Sequence, residues 1–138
     1  MKIILISTLL YFLTIAPMQK LTIEITNIKQ AKGTMNVAIY DAKSDFPNEK
    51  SPTFFRLIPI QNTDNLKFTI DVPKGQYAVA VFQDLNNNSK LDKNIVGFPK
   101  EPYGFSNDFR PKFAAPKFED CAFDVGTLPQ KTIIKIGN

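Results

Sequence analysis

The chain reads as an all-β protein: a single antiparallel β-sandwich with one long ordered loop. Three observations predict this. Short segments alternate apolar and polar residues, or run apolar for the length of a strand. Clusters of Gly, Pro, Asn and Asp separate them. No segment of the body shows convincing helical periodicity, and 12 Phe with no Trp among 138 residues point to a Phe-filled core. One domain of this length buries a respectable core.

The elements follow in order. Residues 21–26 place Leu21, Ile23 and Ile25 on one face. A turn signal at Ala31-Lys32-Gly33 precedes residues 35–40, where Met35, Val37 and Ile39 share a face, so the two segments are expected to form a first hairpin. Residues 41–52 are polar, with two prolines. Within them Phe46 is expected to dock onto the body. Residues 54–60 form a short strand at an edge, because Pro59 has no N–H for the ladder. Residues 66–72 alternate most cleanly. Pro73-Lys74-Gly75 reads as a tight turn, with Gly75 at positive φ. Tyr77 to Phe82 is a buried central strand, and strands at 118–125 and 132–136 close the domain.

Composition narrows the function classes. The chain has no His, which excludes His-based triads and His-ligated metal sites. The single Cys, Cys121, forms no intrachain disulfide, and its alternation with Phe123 and Val125 makes it a core thiol. The net charge is +4, but all of the 17 basic residues except Arg56 and Arg110 are Lys, scattered singly. No nucleic-acid footprint results. Lys2 followed by a mostly apolar run to Ile15 reads as an export signal, with cleavage between Ala16 and Lys20. The expected layout is a signal peptide over 1–19 and the sandwich over 20–138. The mature protein is expected to be periplasmic or extracellular, monomeric and without a membrane span.

The most informative stretch is Asp84-Leu85-Asn86-Asn87-Asn88-Ser89-Lys90-Leu91-Asp92. Oxygen-bearing side chains recur at every second position, the spacing with which a calcium loop wraps one ion. Ligands would come from Asp84, Asn86, Asn88, the Lys90 carbonyl and Asp92. That set is short of the six to eight oxygens calcium takes, and Ile95 stands where an EF-hand loop has its bidentate Glu. Glu101, Asp108 and Asp120 are candidates for the missing carboxylate. Ser89 occupies the sharp-turn position that favours Gly. The alternative is an Asx-rich turn closed by its own hydrogen bonds.

The interval 85–117 is too long for an ordinary loop in a compact domain, and it is dense in aromatic residues and prolines. One reading makes it a recognition surface. Tyr103, Phe105 and Phe109 would stack on a sugar or peptide, with Glu101, Asn107 and Arg110 nearby for orientation. The other has these rings plug the open end of the sandwich. Gly104 suits a tight turn in both. A carboxylate hydrolase acting on envelope polysaccharide, with Glu101 paired to Asp108 or Asp120, is a weaker alternative, since nothing in the spacing requires it.

Gly75-Gln76-Tyr77 leading into an apolar strand resembles the prealbumin-like and immunoglobulin-like modules of bacterial surface proteins. More specifically, GTMNVAIYD (33–41), GQYAVAVFQDLNNNSKLD (75–92) and GFPKEPYGFSNDFRPKFAAPKFEDCAF (97–123) resemble the secreted bacterial family of domain of unknown function 2141. The resemblance covers roughly 21–136. It implies export, one β-rich domain and no established activity. That family tends to carry glycine at the position of Ser89 and a small residue at that of Cys121. The expected role is a non-catalytic binding or structural module of the cell envelope. Its calcium-stabilised loop would present a surface to a glycan, peptide or protein.

Overall fold

The computed structural model describes residues 15–138. The export signal therefore lies, apart from Ile15 and the residues about its cleavage point, outside the described residues. The strands are β1 (Met18–Thr26), β2 (Thr34–Asp41), β3 (Phe54–Pro59), β4 (Leu66–Pro73), β5 (Gly75–Asp84), β6 (Tyr103–Phe105), β7 (Phe123–Val125) and β8 (Gln130–Lys135). A one-turn helix, α1 (Phe118–Cys121), precedes β7, and a 3₁₀ turn spans Ser106–Asp108.

Two sheets pack face to face. One has the order β4-β1-β8. The other runs β3-β2-β5-β6, with β7 pairing the start of β5. Period-two alternation fills the space between them. Leu21, Ile23 and Ile25 of β1 meet Met35, Val37 and Ile39 of β2 and Val79 and Val81 of β5, all buried. Each such side chain contributes about 1.5–3 kcal/mol by leaving water. The sandwich is all-β as expected, and β3 is an edge strand. One pairing departs from the antiparallel rule: β8 runs parallel to β1, with Ile23 opposite Thr132 and Ile25 opposite Ile134.

The expected hairpin of 21–26 with 35–40 does not form. Those strands belong to different sheets, and residues 27–33 carry the chain across the roughly 10 Å between them. Buried Gln83 holds this crossing by donating its amide N–H groups to the Gln30 and Lys32 carbonyls, both at 2.8 Å. Gly33 is needed for close approach. It sits at φ +73°, and a Cβ there would lie 2.0 Å from the Asp84 carbonyl oxygen. Residues 73–75 likewise cross between sheets, and Gly75 is not among the positive-φ glycines.

Two further expectations change. Residues 118–125 are not one strand. The Asp120 carboxylate accepts the Lys117 N–H at 2.8 Å and caps a single helical turn before β7 begins. The interval 85–117 contains β6, and Gly104 lies in that strand rather than in a turn. Its missing side chain lets β6 lie close against β8: a Cβ there would meet Ile134 Cγ2 at 2.7 Å. Phe46 docks as expected, edge-on to Tyr40, Phe105 and Phe118.

Candidate functional site

The Asp/Asn run folds into a closed loop at the end of β5. Asp84 is 2 % exposed. Its Oδ1 accepts the Asn88 N–H at 3.2 Å and its Oδ2 the Ser89 N–H at 2.8 Å. Asn86 Oδ1 accepts the Asn88 N–H, and Asn88 Oδ1 accepts the Lys90 N–H. The two amide nitrogens turn to Asp92, which accepts from Asn86 Nδ2 at 2.7 Å and from Asn88 Nδ2 at 2.9 Å. Those bonds, Asn88 first and then Asn86, hold the Asp92 carboxyl below the usual carboxylate range. Asn87 and Ser89 both take left-handed backbone, at φ 56° and 64°. At Ser89, where glycine would be free to do so, this costs about 1–2 kcal/mol.

Glu101 clamps the loop from outside. It is 4 % exposed. Its Oε1 accepts the Leu85 N–H at 2.8 Å and its Oε2 the Asp92 N–H at 3.0 Å, so one carboxylate ties both ends of the loop. Of the three acids expected to complete the ligand set, only Glu101 bonds the loop. Asp120 caps α1, and Asp108 lies 4.0 Å from Arg110. Among the described residues, no basic side chain forms an ion pair with Asp84, Asp92 or Glu101. Nor do three acidic or cysteine side chains gather there into a metal-holding group. Any cation would therefore rest on the Asn86, Asn88 and Lys90 oxygens as well as on Asp84 and Asp92, a hard-oxygen set of the kind calcium takes.

The residues expected to form a recognition surface separate into two groups. Tyr103 and Phe105 stand edge-on to each other at 6.0 Å and line a groove. Asn107 and Arg110 do not line it. Asn107 Nδ2 donates to the Ala122 carbonyl at 2.8 Å, and Arg110 donates to the carbonyls of Tyr103 and Lys135. Glu101 is engaged as described. Cys121 is fully buried, and desolvation, then Asp120, pushes its thiol up to about 12, far from a thiolate nucleophile.

The groove, of about 810 Å³, lies on the outer face of the five-stranded sheet. Register explains its shape. Phe55 pairs with Ala38, Ala38 with Ala80, and Ala80 with Phe105. Two alanines thus form the floor between two phenylalanine banks. In the adjoining row, Phe82 stands between Asn36 and Tyr103. Segments about residues 89–99 and 111–116 overhang the trough, contributing Phe98 and Phe113. Sequence reasoning missed Ala38, Ala80 and Phe55, because the row exists only through pairing across four strands. Ser106 was missed too. Its buried hydroxyl accepts the Val79 N–H at 2.9 Å and donates to the Cys121 carbonyl at 2.6 Å, fastening the second overhang to the sheet.

Residues 23–133 match the family described as an uncharacterized protein conserved in bacteria, domain of unknown function 2141. The chain belongs to that family. No curated protein and no solved structure shows detectable similarity. Among the described residues, no helix is long and apolar enough to cross a membrane.

Proposed function

We propose that this family member is an exported module of the bacterial envelope that binds a glycan or peptide segment along the trough. In this reading calcium at Asp84, Asn86, Asn88, the Lys90 carbonyl and Asp92 stiffens one wall. The observation that carries the reading is the row Phe55, Ala38, Ala80, Phe105. A small-residue floor between aromatic banks, with a volume in the range of ligand clefts, suits a flat or extended ligand stacked on ring faces. Export rests on the Lys2 and Ile3-to-Ile15 pattern.

The trough is tested by titrating muropeptides and extended peptides into the protein and its Ala80→Trp variant. Binding that falls at least tenfold on filling the floor, with the unfolding midpoint unchanged, supports the assignment. Absence of binding in both panels removes it. For the ion, thermal unfolding is compared in millimolar calcium and in chelator. At about ten times its Kd, an ion that binds only the folded loop adds about 1.4 kcal/mol, and Asp84→Ala should abolish that difference.

A second reading, a structural loop without metal, is favoured by the loop's internal hydrogen bonds: both oxygens of Asp84 and of Asp92 already have donors. An unfolding midpoint indifferent to calcium selects it. The hydrolase alternative has less support, since both Glu101 oxygens accept backbone N–H groups.

A further inference from the structure

We propose that the tips of the two trough walls dock the protein onto an anionic lipid bilayer. The first tip is a rigid hairpin. Lys93 bridges to Pro99, and the Gly97 N–H closes a turn on the Asn94 carbonyl at 3.0 Å. Asn94 Oδ1 accepts the N–H groups of Val96 and Phe98, both at 3.0 Å. The two central positions of this turn, which polar and small residues usually fill, hold Ile95 and Val96, 104 % and 70 % exposed. The turn is closed by two backbone hydrogen bonds and two to the Asn94 amide oxygen, so Ile95 is held away from the body while Val96 borders the mouth of the trough. On the facing wall, Phe113 is 97 % exposed between Pro111 and Pro116. Nothing in the packing of the sandwich requires apolar groups at either place.

Charge selects the partner. Residues 93–100 and 109–117 hold five basic residues, Lys93, Lys100, Arg110, Lys112 and Lys117, and no acidic one, whereas the whole chain is only +4. Asp92, Glu101, Asp108, Glu119 and Asp120 flank these segments, so the positive bias is local to the tips, where Lys93 and Lys112 adjoin Ile95 and Phe113. Of the carboxylates flanking these segments, Asp92 and Glu101 are bonded inward to the loop, Asp108 lies 4.0 Å from Arg110 and Asp120 caps α1, and among the described residues neither Lys93 nor Lys112 forms an ion pair. Projecting apolar side chains collared by lysine suit the boundary between acyl chains and anionic headgroups. There the apolar tips enter and the ammonium groups stay at the phosphate level. Nucleic acid is a poor match, because most of these cations are lysines and Arg110 is engaged by backbone carbonyls. The docking surface needs neither a ligand in the trough nor an ion in the loop.

Sedimentation with phosphatidylcholine vesicles, with and without one third phosphatidylglycerol, tests this on the whole chain. The apolar N-terminal stretch is common to every variant, so differences read the tips alone. Partitioning should require phosphatidylglycerol. It should fall at least tenfold in Ile95→Asp/Phe113→Asp and about fivefold for each of Lys93→Gln and Lys112→Gln. The unfolding midpoints of these exposed variants should stay at the wild-type value. Equal partitioning of wild type and the double aspartate variant overturns the proposal. So does equal binding to both lipid compositions, or binding to polyglutamate as strong as to vesicles, which would assign the surface to an acidic polymer.

Discussion

The two walls of the trough rise beside the same sheet but are anchored with opposite chemistry. Residues 85–101 are held by acceptors: the carboxylates of Asp84, Glu101 and Asp92 and the amide oxygen of Asn94 gather backbone and amide N–H groups. The 106–117 wall is held mainly by donors, with the Ser106 hydroxyl also accepting the Val79 N–H. The Ser106 hydroxyl, the Asn107 amide and the Arg110 guanidinium reach carbonyls on Cys121, Ala122, Tyr103 and Lys135. The first wall concentrates carboxylates at its base, which ties its anchoring to their ionisation. The second relies on neutral donors and on Arg110, whose guanidinium stays charged across the accessible pH range. One wall can therefore be tuned by its surroundings while the other stays constant.

The largest effect should come from Glu101→Ala. It leaves the Leu85 and Asp92 amides without their shared acceptor, and a loss of about 3 kcal/mol in denaturant unfolding is expected. A loss below about 1 kcal/mol would mean that the clamp is not what holds the first wall. Arg110→Ala should cost about 1.5 kcal/mol and free the second wall from β6 and the end of β8, leaving any calcium response intact. If that response vanished as well, the walls would be one unit and the contrast between them would fail.

The smallest effect is the most specific. The Asp92 carboxyl is held below its ordinary range in the folded protein. Its contribution is therefore fully present above the unfolded carboxylate range and is lost as pH falls through the lower folded value. Amide hydrogen exchange in residues 86–92 should accelerate below about pH 4, while exchange at the Ser106-held Val79 amide stays flat. In Asp92→Asn the first segment should lose that acid-induced acceleration. Acceleration of equal size in both segments would point to global acid unfolding instead.

The alternation of Leu21, Ile23 and Ile25, of Met35, Val37 and Ile39, and of the 66–72 segment was enough to place the core, because side-chain direction in a strand is a local property with period two. Pro59 marked the edge strand for an equally local reason. The left-handed residue at Ser89 and the docking of Phe46 were also legible, from a turn position and an isolated aromatic. Which strands pair was not. The β1–β2 hairpin was misread because alternation says which face is buried but not which sheet receives it. The parallel β1–β8 pairing joins residues more than a hundred positions apart, a choice made by the packing of both sheets at once. The residue types of the Asp84–Asp92 loop were visible as a spacing. By contrast, the commitment of Glu101 to two backbone amides depends on how residue 101 returns beside residues 85 and 92. The trough is the clearest case. Ala38 and Ala80 are unremarkable in the chain, and only cross-strand register sets them side by side between Phe55 and Phe105. Local backbone geometry thus sufficed for the strands and their buried faces, whereas the floor of the trough and the anchoring of its walls arose from long-range pairing that no local pattern encodes.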